Sequence, residues 1–121
     1  MGRFIKAVKE FTLFPHGQIN QMNEISLRVS VLLSVQRALL GAISPRVRAV
    51  LCSWEAAAIK VRAVFDGPVA DSDVESMSIV ETELVSDFPD FDVGVLCVRI
   101  DGGGSICLEL GEVFVFRRKE D

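Results

Sequence analysis

The side chains that could carry out acid–base chemistry are few in this sequence. The single histidine, His16, stands in a Pro-His-Gly turn. Without a second histidine, neither a histidine pair for a metal ion nor a nucleophilic triad can be built around a better placed base. A carboxylate could still act as acid or base, and the candidates are Asp66 in an FDG turn and the pair Glu81 and Glu83. The pair is two positions apart, so on a helix its members point to different sides. We therefore predict that the protein is not an enzyme.

Three other features resemble ligand sites but lack essential residues. The stretch DGGGS at 101–105 is not followed by Lys-Ser/Thr, and no helix is predicted to begin there to hold a phosphate. The stretch DSDVES at 71–76 lacks the spacing and the glycine of a calcium loop. The cysteines at 52, 97 and 107 are odd in number and form no CxxC pair, which indicates buried thiols in a reducing compartment. No cofactor and no metal are predicted.

The charge is unevenly distributed along the chain. Residues 1–62 hold nine Lys or Arg against three acids, whereas residues 63–121 hold four against fourteen. Between Asp66 and Asp101 there are ten acids and a single base, Arg99. A run of this kind is commonly a solvated face, and it is also what a docking surface for a basic partner requires. Binding of nucleic acid is disfavoured, because this half would repel phosphates.

Two helices are predicted to position these acids and to build the core. The first spans residues 25–40, with Gly41 as its C-terminal stop. Its apolar stripe, which should face the core, is made of Ile25, Val29, Leu32, Leu33, Leu39, Leu40 and Ile43. The second helix follows the turn that begins at Asp66. Its stripe is made of Val74, Met77, Val80, Leu84 and Phe88.

Four strands are predicted from alternating or continuous apolar runs at residues 47–54, 58–65, 93–100 and 113–116. Alternation should place Arg48, Lys60 and Arg62 together on a solvent-facing, basic side of the sheet. The order helix, strand, strand, helix, strand, strand predicts an α+β fold. We expect a two-layer sandwich with a four-stranded, mainly antiparallel sheet and both helices on one face.

The chain is predicted to hold one domain. Residues 1–21 are interpreted as an N-terminal extension that a short helix could occupy, and residues 22–121 as a single α+β domain. No apolar run reaches the roughly 18 residues that span a bilayer. The N-terminus also lacks the continuous apolar core and the cleavage site of a signal peptide. We therefore expect a cytoplasmic protein that does not bind membranes.

Four blocks of the sequence carry a resemblance to a known family. LLGAISPRVRAV at 39–50, VFDG at 64–67, ETELVSDF at 81–88 and VFRRKE at 115–120 resemble small bacterial cytoplasmic proteins, many of them encoded beside contact-dependent growth inhibition toxins. Those proteins serve as immunity proteins against the toxins. The resemblance covers residues 24–120. It departs at Arg62 and Ala63, where the relatives carry bulkier aromatic residues.

The resemblance implies a protein without catalytic residues that binds and neutralises a cognate toxin. The toxin is expected to be a nuclease whose active or substrate-binding surface is blocked. Carboxylates presented to a basic nuclease would mimic its substrate and speed the encounter. We predict that the partner-binding residues lie on the outer side of the second helix and in the loop after it: Asp73, Glu81, Glu83, Asp87 and Asp90. Asp73 and Glu81 lie about 80° apart on an ideal helix, as do Asp73 and Glu83, so one broad polar face can hold all three.

The alternative is a general protein-interaction or self-associating adaptor without a toxin partner. A homo-oligomer could form through a sheet edge or through the apolar N-terminal segment. A toxin domain encoded immediately upstream would favour the immunity function, whereas a monomer–dimer shift in size-exclusion chromatography would favour self-association.

Overall fold

The computed structural model describes the backbone of residues 16–121 and the side chains of residues 24–121. The elements of this part of the chain are the helices α1 (His16–Leu39) and α2 (Asp71–Asp87) and the strands β1 (Val47–Glu55), β2 (Ala58–Phe65), β3 (Asp92–Arg99) and β4 (Val113–Arg117). Their order, α-β-β-α-β-β, agrees with the predicted order, and the fold is α+β.

Helix α1 begins earlier than predicted. It starts at His16 and runs for 24 residues without a proline. Residues 16–24 are mostly polar and show no apolar period, which is why the sequence pattern missed them. The helix therefore crosses the predicted boundary between residues 21 and 22. The rest of the predicted extension, residues 1–15 with its short helix, lies outside the described residues. The predicted C-terminal end of α1 at Gly41 is confirmed. Gly41 has φ 79°, and the Ala42 N–H donates to the carbonyl of Leu39.

The sheet is mixed, so the prediction of a mainly antiparallel sheet is wrong. The strand order is β3-β2-β1-β4. Strand β1 pairs antiparallel with both β2 and β4, whereas β2 and β3 are parallel. The parallel pair arises because α2 carries the chain back along the sheet between β2 and β3, as in other strand–helix–strand crossovers.

Both helices pack on one face of the sheet, as predicted. Helix α1 contributes Val31 and Val35 to this core, and α2 contributes Met77, Val80 and Leu84. The sheet contributes, among others, Val50, Cys52, Ile59, Val61 and Phe65. All these side chains are almost completely removed from solvent. Burial of apolar surface on this scale is the main stabilising contribution to the fold.

The predicted core stripe of α1 is wrong for four of its seven members, of which Leu40 is the most exposed. Ile25, Val29 and Leu33 are spaced by four residues, but they are half or more exposed. The buried side of the helix is instead formed by Val31, Ser34, Val35, Ala38 and Leu39. The apolar residues of α1 lie on nearly every side of the helix. Two different stripes therefore fit the helical period equally well. Only the contact with α2 and the sheet decides which stripe is buried.

A register shift between Val47 and Ala49 reverses the predicted faces of β1. Beyond this bulge, Val50 and Cys52 face the helices, while Ala49 and Leu51 form a second apolar cluster on the opposite side of the sheet. Ile100 and Ile106, from the segment that joins β3 to β4, pack on this second cluster. An extra residue in one strand exchanges the two faces from that point onward.

The predicted basic side of the sheet is not solvent-facing, because parts of the chain outside the four strands cover it. Arg48 and Arg62 are buried beneath the segment that joins β3 to β4 and the C-terminal tail. Arg48 donates to Glu120 at 2.7 Å and to the carbonyls of Ile100 and Asp101. The hydrogen bond from Arg48, with a further one from Arg118, lowers the pKa of the Glu120 carboxyl to about 2. Lys60 alone remains exposed, 3.3 Å from Glu109.

Candidate partner-binding surface

Helix α2 is the acidic element of the structure. Its 17 residues include six Asp or Glu and no Lys or Arg. Asp71 and Asp73 lie in the first turn, where negative charge is stabilised by the positive end of the helix dipole. The last turn ends at Phe88, whose N–H donates to the carbonyl of Leu84. The helix therefore presents carboxylates in every direction that the core does not occupy.

Asp73 does not lie on the outer face, so this part of the predicted surface is wrong. The residue is buried, with 4 % of its surface accessible. Its carboxylate accepts hydrogen bonds from Arg46 Nε at 2.8 Å and from the Ala70 N–H at 3.3 Å. The bond from Arg46 holds the pKa of Asp73 below its ordinary value. The side chain fixes the start of α2 and joins it to the turn before β1.

Removing this carboxylate should weaken the fold and not primarily the partner binding. We expect Asp73→Ala to lower the free energy of unfolding by about 1–2 kcal/mol, the usual cost of a lost helix cap with a charge-assisted hydrogen bond. Urea denaturation followed by circular dichroism measures this effect, with the exposed Asp71→Ala as the control. Equal stability of both variants would show that Asp73 does not brace the helix.

Asp87 joins the two helices. Its carboxylate accepts hydrogen bonds from the Ser34 hydroxyl and from Arg37 at 2.8 Å, both on α1. These bonds, the one from Ser34 first, lower the pKa of Asp87. More than a third of the side chain remains accessible. Asp87 is thus held in one orientation while one side of the carboxylate faces solvent.

Glu81 is turned toward the sheet. Its carboxylate accepts a hydrogen bond at 3.0 Å from the backbone N–H of Val95, in the middle of β3. The residue is half-buried and does not lie among the outermost acids of the helix. The predicted partner-binding residues therefore do not share one face, because Glu81 points to the edge of the sheet and Glu83 points away from it.

Glu83 and Asp90 are both exposed. The Glu83 carboxylate makes no hydrogen bond or ion pair with another described residue. Asp90 lies in the short loop between α2 and β3. This loop is fixed by the Phe91 N–H, which donates to the carbonyl of Phe88, and by the edge-to-face contact of the two rings at 5.5 Å. Both carboxylates are therefore presented from ordered backbone.

A regular row on α2 was missed in the sequence. Residues at spacings of four form the outer stripe, which consists of Asp71, Glu75, Ile79 and Glu83. All four are exposed, and Ile79 keeps 55 % of its surface accessible. The three carboxylates make no ion pair with any residue in the described part of the chain. The spacing i, i+4, i+8, i+12 was visible in the sequence and could have identified the row.

The remaining candidates for chemistry have structural roles or lie outside the described side chains. Asp66 accepts hydrogen bonds from the Gly102 N–H at 3.0 Å and from Arg118 at 2.8 Å. These bonds lower its pKa, the one from Gly102 first, which makes Asp66 a weaker base. The side chain of His16 is outside the described residues. Within residues 24–121, no group of three or more His, Cys, Asp or Glu could hold a metal ion. No helix in the described part of the chain is long and apolar enough to cross a membrane.

The structure is thus a small α+β domain with a mixed sheet and an acidic, exposed helix. The model of the MafI2 immunity protein family matches residues 28–120, and the chain belongs to this family. The match confirms the resemblance to immunity proteins. No curated protein matches the chain significantly. Membership of this family implies a toxin-neutralising role, with a cognate toxin protein as the partner.

Proposed function

We propose that the chain neutralises a nuclease toxin by covering the toxin's phosphate-binding surface with the outer stripe of α2 and with the neighbouring Asp87 and Asp90. The observation that carries this proposal is the exposed row of carboxylates, without an ion pair to any described residue, on a helix that holds six acids and no base. Asp73 is not included among the contacts, because it is buried against Arg46.

Electrostatics supports this choice of surface. A nuclease binds phosphates, so its substrate site is expected to be positively charged. Carboxylates spaced one helical turn apart would meet several of these positive side chains at once and would raise the association rate. They would also exclude the nucleic acid from the same site. Inhibition then requires no chemistry from the immunity protein.

Ile79 gives the outer stripe an exposed apolar side chain, which a purely acidic surface would lack. It lies in the middle of the outer stripe, between Glu75 and Glu83, and is half exposed. Tight interfaces usually place an apolar anchor at the centre and charged residues around it. The stripe has this arrangement, with the acids directing the encounter and Ile79 available for burial against the toxin.

Charge reversal on the outer stripe tests the proposal. We expect Glu75→Lys/Glu83→Lys to slow association with the toxin domain encoded by the neighbouring open reading frame by roughly tenfold or more at low salt. The difference should shrink as salt rises, because salt screens charges on exposed surfaces. The measurement is the association rate by stopped flow or surface plasmon resonance across a salt series, with a catalytically inactivated toxin domain.

The control changes the same net charge elsewhere. Glu24→Lys/Asp121→Lys reverses two exposed acids outside the family match at residues 28–120 and should leave the association rate within about threefold. Equal slowing by both double variants would mean that only net charge matters and would remove the outer stripe from the interface. Nucleic-acid cleavage by the active toxin, with and without the immunity protein, tests the nuclease assignment. A monomer–dimer shift without any toxin binding would instead support the self-associating alternative.

A further inference from the structure

Strand β3 has an open edge. In the described part of the chain it pairs only with β2, in a parallel ladder. At the two ends of the strand, the Asp92 N–H donates to Ala57 and the Ile100 N–H donates to Phe65, both on the β2 side. Because donors alternate along a parallel ladder, the N–H groups of Gly94, Leu96 and Val98 also point to β2. Those of Val93, Val95 and Cys97 point to the open edge.

The strand itself has few of the features that usually prevent strand pairing, and the one protecting contact comes from Glu81 of α2 at the Val95 N–H. Natural edges are commonly short, charged, bulged or interrupted by proline. Strand β4, at the other side of the sheet, has five residues and a register shift in its pairing. Strand β3 has eight residues in regular register, and its central six, VGVLCV, contain no charge and no proline. Such an edge is suited to receive a further strand.

Helix α2 lies beside the open edge of β3. Glu81 reaches the Val95 N–H, so this side of the helix faces β3. Val74 lies seven residues before Glu81 and Val85 four residues after it, which places both on the same side of the helix. Both valines are about half exposed. We call the open edge of β3 together with Val74, Glu81 and Val85 the edge groove.

We propose that the cognate toxin adds an extended strand to β3 in the edge groove, with a Lys or Arg of the toxin facing Glu81 and apolar side chains facing Val74 and Val85. This inference rests on the proposed toxin-neutralising function and adds a second contact to the outer stripe. The backbone of β3 would supply hydrogen bonds to the added strand. The exposed side chains of α2 would select the side chains of that strand. Glu81 would exchange its bond with the Val95 N–H for the toxin's positive charge.

The charge of the groove argues against a second copy of this chain as the occupant. A two-fold pairing of β3 with itself, centred between Val95 and Leu96, would place two Glu81 side chains beside the axis. Each reaches Val95 and carries a negative charge, so the two would repel each other. A basic toxin strand meets the same carboxylate favourably.

Val95→Pro tests strand addition directly. It removes an N–H that points to the open edge and leaves the N–H groups that pair with β2. Proline is tolerated at such edge positions. We expect the dissociation constant for the inactivated toxin domain to rise roughly thirtyfold or more, through the lost hydrogen bonds and the obstructed approach of the strand. Val95→Ala, which keeps the N–H and shortens the side chain, is the matched control and should bind within about threefold of wild type.

Amide hydrogen exchange on the wild-type protein gives the second measurement and does not depend on any variant folding. Toxin binding should slow exchange at Val93, Val95 and Cys97. If the outer-stripe reversal slows association but these amides exchange equally with and without toxin, strand addition is wrong and the proposed function stands. If the wild-type protein does not bind the toxin domain, both proposals fail. Protection of the same amides without toxin, rising with protein concentration, would assign the edge to a second copy and overturn the inference.

Discussion

Replacing Arg62 by leucine is expected to lower the free energy of unfolding by about 3 kcal/mol, because it leaves a buried carboxylate without its partner. Arg62 donates to both oxygens of Glu112, at 2.7 and 2.9 Å, and to the carbonyl of Cys107 at 2.8 Å. The two side chains are only 8 % and 2 % exposed. The pair also holds the segment that joins β3 to β4 against the sheet. This segment should therefore pack less tightly on the sheet in the variant.

The double variant Arg62→Leu/Glu112→Leu separates the unpaired charge from the lost packing. Replacement of a complete buried ion pair by apolar residues is often close to neutral, whereas loss of one partner is costly. We therefore expect the double variant to recover most of the lost stability. Urea denaturation of the wild type, both single variants and the double variant completes the cycle. A double variant as unstable as Arg62→Leu would show that the cost does not come from the orphaned charge.

The pH dependence of the same variant provides a second test. The hydrogen bonds from Arg62 lower the pKa of Glu112 in the folded protein. A carboxyl with a lowered pKa contributes stability at pH values above its unfolded pKa, near 4.3, and loses this contribution as pH falls through the folded pKa. In Arg62→Leu, Glu112 no longer has this bond and should take up a proton more readily. The stability difference between wild type and variant should therefore become smaller from pH 6 to pH 3.

The order of the elements could be predicted because each carries a local signal. Strands β1 and β2 are rich in Val, Ile and Ala with alternating polar residues, and α2 combines an apolar stripe with acids in its first turn. Gly41 ends α1 in a conformation that glycine adopts readily. Each of these signals lies within one element and does not depend on the rest of the chain.

The direction of β3 and the faces of β1 could not be predicted, because they depend on distant contacts. The sequence does not show where the chain returns to the sheet after α2. Its return beside β2 is what makes β2 and β3 a parallel pair. The bulge near Ala49 is set by pairing with Val64 and not by a glycine or proline in β1. A single extra residue then exchanges the two faces of β1. Arg48 and Arg62 are buried for a different reason, because the segment that joins β3 to β4 and the C-terminal tail cover their side of the sheet.

The sequence could not separate acids that stabilise the fold from acids that are exposed. The excess of acids indicated α2, yet three of the five predicted residues have partners far away in the sequence. Asp73 binds Arg46, Asp87 binds Ser34 and Arg37, and Glu81 binds the backbone of β3. A carboxylate that braces the fold and one that is presented to a partner look identical in a sequence. Their neighbours in three dimensions distinguish them.

The same substitution to aspartate should destabilise the protein strongly on one side of α1 and hardly at all on the other. Val35 is completely buried, whereas Leu33, two residues earlier, is 58 % exposed. We expect Val35→Asp to lower the free energy of unfolding by about 4 kcal/mol or more, because a carboxylate would be placed in the core beside α2 and the sheet without a partner. We expect Leu33→Asp to change it by about 0.5 kcal/mol or less, as exposed substitutions usually do.

Thermal and urea unfolding of the two variants, followed by circular dichroism at low protein concentration, decides between the stripes. A cooperative transition near that of the wild type is expected for Leu33→Asp, and loss of the cooperative transition or a melting temperature lower by many degrees for Val35→Asp. The sequence pattern alone had placed Leu33 in the core, so the pair tests which stripe of α1 is buried. If Leu33→Asp proves as damaging as Val35→Asp, the side of α1 that carries Ile25, Val29 and Leu33 is covered in the folded protein.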